Sequence, residues 1–374
     1  MNEKKQVAIV GAGIVGSTAA YYLSKEKNIA VTIFDFGQGQ ATKAAAGIIS
    51  PWFSKRRNKA WYHLAKSGAA FYQTLVTDLE KENIDTSFYQ KNGVFLLKNK
   101  EEKLNDLLEL AQSRKADAPL IGDLSLLSKE QANSKFPELE GFNQLLFASG
   151  GARVDGAKLC QSLIEASGIE VISKKVKISS QGKQYLIDDQ LFDEVILACG
   201  AWLGQILEPL GYQVDIRAQK GQLLDYHFDG LASENFPVVM PEGEIDVIPF
   251  PNGKISVGAS HENDKGYDLS ADDKVLSHLE ESAITFYPNL KNASKKTVRI
   301  GTRAYSSDFL PFFGKIPKKK SLFAASGLGS SGLTVGPLIG KELANLVKNQ
   351  ETFLNLEQYP IDSYIRLSDS LQKK

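Results

Sequence analysis

Between residues 6 and 36 the chain reads QVAIVGAGIVGSTAAYYLSKEKNIAVTIFDF, and few folds accept that run. Val7, Ile9 and Val10 make a short β-branched strand, and Gly11, Gly13 and Gly16 stand at GxGxxG spacing as a helix begins. Gly11 permits the tight turn, Gly13 lets backbone approach a pyrophosphate, and Gly16 lets helix and strand pack closely. The N–H groups and dipole at the helix start favour two phosphates. Residues 30–34, AVTIF, give a second apolar strand. Asp35 closes it where a carboxylate accepts hydrogen bonds from ribose hydroxyls, and its charge disfavours a 2′-phosphate. The expectation is a βαβ unit that holds a dinucleotide.

The chain has 374 residues, enough for two or three domains or one large α/β unit with an insertion. Positive and negative side chains balance at 44 each, so no global field steers it to nucleic acid or anionic lipid, and a small-molecule partner fits better. Cys160 and Cys199 lie far apart with no metal-ligand or disulfide spacing, which points to a reducing compartment. The polar start MNEKKQ leads straight into the first strand, and the apolar stretch 322–339 is broken by Gly, Ser and Pro. The expectation is therefore a cytoplasmic chain with no signal peptide and no transmembrane segment.

Past Asp35, GQGQATKAAAGIISP is a run of small residues that turns apolar at 44–49, unlike a solvated linker, and reads as a loop lying against a large ligand. Residues 59–82 show apolar positions at helical spacing, with His63 in a structural place. The part from 86 to 144 reads as mixed structure, 156–166 as a helix, and 170–173, 175–179 and 184–188 as a meander. FDEVILACGAW is a buried parallel-type strand that ends in a glycine turn, with Cys199 a small buried residue. From about 213 to 300 short alternating strands predict an antiparallel sheet, including a hairpin of VIPF and KISVG about the turn PNG. Finally, 322–325 is a strand, GLGSSG a second glycine-rich turn, and 333–347 a helix whose N-terminus is offered to an anion.

In order along the chain, VAIVGAGIVGSTAAYYL with FDF, ATKAAAGIISP, VILACGAW, KGQLLDY, KISVGAS, GTRAYSSDFLPFFG and SGLGSSGLTVGP resemble the landmarks of the D-amino-acid oxidase superfamily. The similarity is to its glycine oxidase and sarcosine oxidase-like branch and spans nearly the whole chain. It implies an α/β fold: a discontinuous Rossmann-like FAD-binding domain of the glutathione reductase type (1–85, 145–215 and 299–374) with a largely antiparallel β substrate domain (86–144 and 216–298). By the same resemblance, FAD contacts fall on Gly11, Gly13, Ile14, Val15, Gly16, Asp35, Phe36 and Thr42, and then on Ala46, Gly47, Ile48 and Ile49. They continue at Val176 on the adenine side, at Ala198, Gly200 and Trp202, and at Gly329, Ser330, Ser331, Gly332, Leu333 and Thr334 beside flavin N1 and O2. N–H donors at that helix start stabilise negative charge on a reduced flavin.

Arg303 matches the arginine that binds the substrate carboxylate, also at the cofactor, and Asp246 and His261 are the further candidate catalytic residues. The implied reaction removes a hydride from the carbon bearing an amine, on an amino acid or N-substituted amino acid, giving an imine that water hydrolyses. The acceptor is oxygen or another oxidant. This chain departs from the family pattern at Ala304, which replaces a proline, and at Ser330, where some members carry a second arginine. Asp246 replaces an aromatic and favours a cationic group on the substrate, and Ser256 stands roughly at the lysine tied to oxygen activation. No cysteine lies near 301, so FAD is expected to be non-covalent. The sequence leaves open dehydrogenation of a hydroxy acid or polyol phosphate, a non-catalytic flavin-binding module, and homo-oligomerisation.

Overall fold

A computed structural model describes residues 4–368. Its first sheet has six strands in the order Phe312–Lys315, Leu322–Ser326, Glu194–Leu197, Lys5–Val10, Ile29–Asp35, Val171–Ser173. All neighbours are parallel except the first pair. Parallel strands are covered on both faces, and here the central ones are apolar runs such as Val7, Ala8 and Ile9, none of them exposed. Helices Ile14–Ser24, Gly156–Ser167 and Gly332–Val347 cover one face, with Lys59–Glu80 packed on the last of these. Phe34, Val195, Leu197 and Phe312 build a separate core on the other face.

The second sheet has eight strands: Lys295–Tyr305, Arg217–His227, Lys254–Gly258, Asp246–Phe250, Val238–Met240, Val94–Leu96, Gln144–Ala148, Leu124–Ser128. Every pair is antiparallel except Val238–Met240 with Val94–Leu96. Helix Asp273–Ile284 packs on one face over a third core that includes Leu224, Val257 and Leu279. The other face looks toward the six-stranded sheet and roofs a large cavity. The expected α/β architecture, a parallel nucleotide-type sheet joined to a largely antiparallel one, is what the chain forms.

Local expectations meet mixed outcomes. The PNG turn closes its hairpin with Asn252 and Gly253 both at positive φ, as a tight two-strand connection requires. The long helix stops at Glu80, and Asn58 caps its start by accepting from the Trp61 N–H at 2.9 Å. Val171–Ser173 leaves the expected meander and joins the six-stranded sheet beside Ile29–Asp35, while Ile178–Gln181, Gln184–Ile187 and Gln190–Phe192 form the meander without it. Strands Gln144–Ala148 and Lys295–Tyr305 run across the expected boundaries at 145 and 299 and pair within the eight-stranded sheet along their lengths. Among the described residues no helix is long and apolar enough to cross a membrane.

Candidate active site

The cavity between the two sheets has a volume of about 930 Å³, near the upper end for a small-molecule site. One wall is the first glycine turn. Gly11 sits at φ +106°, and a Cβ there would lie 2.3 Å from the Ala198 carbonyl oxygen, so only glycine lets the two strand ends approach. Asp35 braces the turn: its carboxylate accepts from the Ala12 N–H at 2.9 Å and the Gly37 N–H at 2.7 Å, and from the Gln40 amide. Thr42 accepts from the Ile14 N–H at 3.1 Å.

The small-residue segment forms the next stretch of wall. Ala46, Gly47 and Ile48 line the cavity with Ala44 and Ala45. Arg299 ties this segment to the eight-stranded sheet: its guanidinium makes a bidentate pair with Asp225, at 2.7 and 2.9 Å, and donates to the Ala45 carbonyl at 2.9 Å. Ile49 is buried in the core opposite Ala152 and takes no part in the wall, contrary to expectation, because successive strand residues face opposite ways. Gly16 is also absent from the wall. A Cβ on it would meet the Gly11 carbonyl oxygen at 1.8 Å, so it serves helix-to-strand packing alone.

The second glycine turn enters the same cavity. Gly329, Ser330, Ser331, Gly332, Leu333 and Thr334 all line it, together with Gly13, Ile14 and Val15 of the first. Neither helix has an acidic residue in its first turn or a side-chain cap on its N-cap residue; at the first start Thr42 takes the Ile14 N–H, and at the second no side chain takes a first-turn N–H among the described residues. Phe36, Val176, Ala198, Gly200 and Trp202 complete this part. Trp202 packs against Tyr267, whose hydroxyl donates to the Ala201 carbonyl at 2.8 Å. Burial pushes both Cys160 and Cys199 up to about 12; Cys199, however, is half-buried and lines the cavity, not the fully buried residue expected, because it stands at the strand end that opens there. Neither is a redox pair.

The roof is built from side chains. Arg303, on Lys295–Tyr305, lies flat over Gly221 of the neighbouring strand, where a Cβ would come within 2.7–2.8 Å of its guanidinium atoms. Its Nη1 donates to Gln219 Oε1 at 3.0 Å and to the Ser260 carbonyl at 2.8 Å. Nη2 and Nε have no acceptor among the described residues. Burial lowers the guanidinium from its ordinary value. Asp246 also lines the cavity, without a hydrogen-bond or ion-pair partner among the described residues, and loss of hydration pushes its carboxyl up to about 8. His261 stands at the edge with Nδ1 3.6 Å from Glu244, and it is lowered by burial first and by Arg303 second, with Glu244 opposing both.

Several wall residues escaped sequence reasoning. Lys98 lines the roof and burial lowers it, yet LLKNK reads as the charged end of a strand. Buried oxygens of Gln40, Ser50 and Thr302 line the cavity with no partner among the described residues, and nothing in the local pattern marks them. Gly221 lies inside the motif KGQLLDY, but the close approach that needs it comes from a strand about 80 residues away. Ser256 is fully buried, bonded to Asp225 and Arg299, and away from the cavity, so it is not at the place of an oxygen-activating cation.

The chain matches, over residues 6–346, the family described as FAD dependent oxidoreductase (DAO). It is 39% identical over 369 residues to an uncharacterized oxidoreductase, YurR, of Bacillus subtilis, a match that covers 95% of this chain and 98% of that one. It is 28% identical over 373 residues to a glycine oxidase of Pseudomonas aeruginosa, with the same coverage of both chains. The crystal structure of an iminodiacetate oxidase (IdaA) from Chelativorans sp. BNC1 matches with a TM-score of 0.89 at 32% identity, over 94% of this chain and 98% of that one. The chain belongs to the FAD-dependent oxidoreductase (DAO) family, and FAD is its cofactor.

Proposed function

We propose that this FAD-dependent oxidoreductase oxidises the carbon next to the amine of an amino acid or N-substituted amino acid. The residues fit the cofactor. Two helix starts without an acidic first turn suit a pyrophosphate and the electron-rich edge of a flavin, Asp35 suits a ribose, and the unpartnered oxygens of Gln40, Ser50 and Thr302 offer acceptors to a polar ligand. In this reading the turn at Gly11, Gly13, Ile14 and Val15 holds the pyrophosphate and Phe36 and Val176 flank the adenosine. Ala46, Gly47 and Ile48 lie along the flavin, and Gly329, Ser330, Ser331 and Gly332 donate to it. Bound FAD supplies a two-electron hydride acceptor.

The chain's own residues do the rest. Arg303 takes the substrate carboxylate through the edge left open by Gln219 and Ser260, which fixes the α-carbon at one place in the cavity. The nitrogen lone pair forms the C=N bond as hydride leaves, and water hydrolyses the product to an oxo acid and an amine. His261 closes the cavity edge, and Asp246 and Lys98 set the charge of the roof. Glycine oxidase and iminodiacetate oxidase, named among the similar proteins, both act on glycine-type amino acids, the second bearing a carboxymethyl group on nitrogen. That supports an N-substituted glycine as a substrate class.

The observation that carries this reading is the Arg303 guanidinium, positioned across Gly221 with one edge unpaired and open to the cavity that receives both helix starts. An anaerobic panel of D- and L-amino acids, N-methyl amino acids, iminodiacetate and hydroxy acids, followed by bleaching of the FAD-loaded enzyme, tests it. An amine-bearing acid is expected to bleach the wild type. Arg303→Ala is expected to lose about 3–5 kcal/mol of that reaction, roughly a hundred- to several-thousand-fold, with FAD retained. Bleaching by hydroxy acids alone, or unimpaired bleaching in Arg303→Ala, overturns the proposal.

A further inference from the structure

The roof of the cavity holds a row of residues that lie side by side across the eight-stranded sheet. Leu96 pairs with Met240, and one step from Val239 opposite Val247 brings Met240 to face Asp246. Asp246 pairs with Gly258, and Gly258 with Leu223. Leu96, Met240, Asp246 and Leu223 all line the cavity. An acid therefore interrupts an otherwise apolar row, with a residue lacking a side chain beside it. Its half-buried carboxyl meets no donor of the protein among the described residues and faces the cavity, where a ligand can supply the partner.

The register also fixes how far this carboxylate stands from Arg303. The guanidinium lies over Gly221, two residues along its strand from Leu223, and Leu223 is two strands across from Asp246. Strand spacing and rise put the Cα positions of Gly221 and Asp246 about 12 Å apart on one face, and an aspartate side chain turned toward the guanidinium, with a reach of about 2.5 Å, leaves about 9–10 Å between the two groups. An α-amino acid that bonds a guanidinium through its carboxylate and a second group through its nitrogen spans about 9 Å.

We propose that Asp246 receives the amine of the substrate whose carboxylate Arg303 holds, accepting one proton from the ammonium so that the nitrogen is neutral when its carbon is oxidised. The proposal rests on the amino-acid reading above. The ammonium N–H bond breaks, an O–H bond forms on Asp246, and the freed lone pair makes the C=N bond as the hydride departs; the acid later returns its proton to water. The charged groups around Asp246 come from every neighbouring strand: Lys98, Glu244 before its own strand, His261 after Lys254–Gly258, and Arg303. None lies within ion-pair distance of it. Other elements bring apolar side chains such as Trp61 and Leu107. Burial alone holds the acid near 8, close enough to neutrality for it to exchange a proton in either direction.

The test is rapid anaerobic reduction of FAD-loaded wild type, Asp246→Asn and Asp246→Glu by N-methylglycine and iminodiacetate between pH 5.5 and 10. Acetate binding, read from flavin absorbance, serves as a measure independent of turnover. The wild-type rate is expected to rise with pH and level off above about 8. Asp246→Asn must draw on the neutral amine in solution, about one molecule in a thousand at pH 7 for an ammonium of pKa about 10. It is expected to run about a hundredfold slower at pH 7, with the gap closing steadily toward pH 10, while acetate affinity stays within about twofold and Asp246→Glu keeps the plateau. Parallel profiles for wild type and Asp246→Asn, or loss of acetate binding in Asp246→Asn, overturn the assignment. If no amine-bearing acid reduces the wild type, the oxidation reading fails and this one with it; reduction of the wild type with an unchanged profile in Asp246→Asn sinks this one alone.

Discussion

The two ends of the cavity are made of different material. Around Gly11 and Gly329 the wall is peptide backbone, with N–H groups, helix starts and small residues that leave room. Around Arg303 and Asp246 it is side chains raised from one face of a sheet, each borrowed from a separate stretch of chain. Backbone sites depend on conformations that only certain residues adopt, whereas side-chain sites depend on which strands become neighbours. The first kind tolerates changes of side chain and fails when a Cβ intrudes. The second fails when one of its side chains is replaced or displaced.

The sharpest way to break that contrast is Gly11→Ala. A Cβ 2.3 Å from the Ala198 oxygen, at φ +106°, forces the turn open. FAD affinity is expected to fall by about 2–4 kcal/mol, roughly thirty- to a thousand-fold in Kd, as measured by fluorescence on titrating the apoprotein. Next comes Gly221→Ala, a backbone position inside the side-chain end. Its methyl group displaces the Arg303 guanidinium, so the efficiency of reduction by a carboxylate substrate is expected to drop about ten- to a hundredfold with FAD content unchanged.

Asp246→Asn gives a smaller, pH-dependent effect on stability. The folded protein favours the neutral acid, whose pKa is raised from the ordinary carboxylate range to about 8. Wild-type stability is therefore lost as pH rises from about 4 through 8 and is flat above, and the amide variant escapes that loss. The melting temperature of Asp246→Asn relative to wild type is expected to climb by about 2–4 °C over that window, by calorimetry on the FAD-loaded protein. Least affected should be Cys199→Ala, a side-chain change at the backbone end. FAD affinity and reduction rate are expected to stay within about twofold, and a larger loss breaks the contrast there.

The same contrast explains what could be read from the chain. Gly11, Gly13 and Asp35 announce themselves because a turn, a helix start and a strand end lie within 30 residues, and local spacing carries the geometry. Arg303 is legible only through the resemblance, since nothing near it in sequence reveals that Gly221 leaves room beneath it. Lys98 and Arg299 had no signal at all: each looks like a surface charge until strands from elsewhere bring it to the cavity or to the Ala45 carbonyl. The error at Ile49 is one of phase, as the small-residue segment becomes extended and alternates its faces. Val171–Ser173 looks like part of the meander because short apolar strands look alike, and its partner, Ile33, lies some 140 residues earlier.

The six-stranded sheet takes its strands from residues 5–35, 171–173, 194–197 and 312–326, and the second helix start follows at Gly332. During synthesis, then, the first glycine turn emerges about 300 residues before the segment that completes its cavity, an interval of about 15–60 s at ordinary elongation rates. The nascent chain passes that time with one of its two helix starts, and the cavity that both line exists only once residue 334 has left the ribosome.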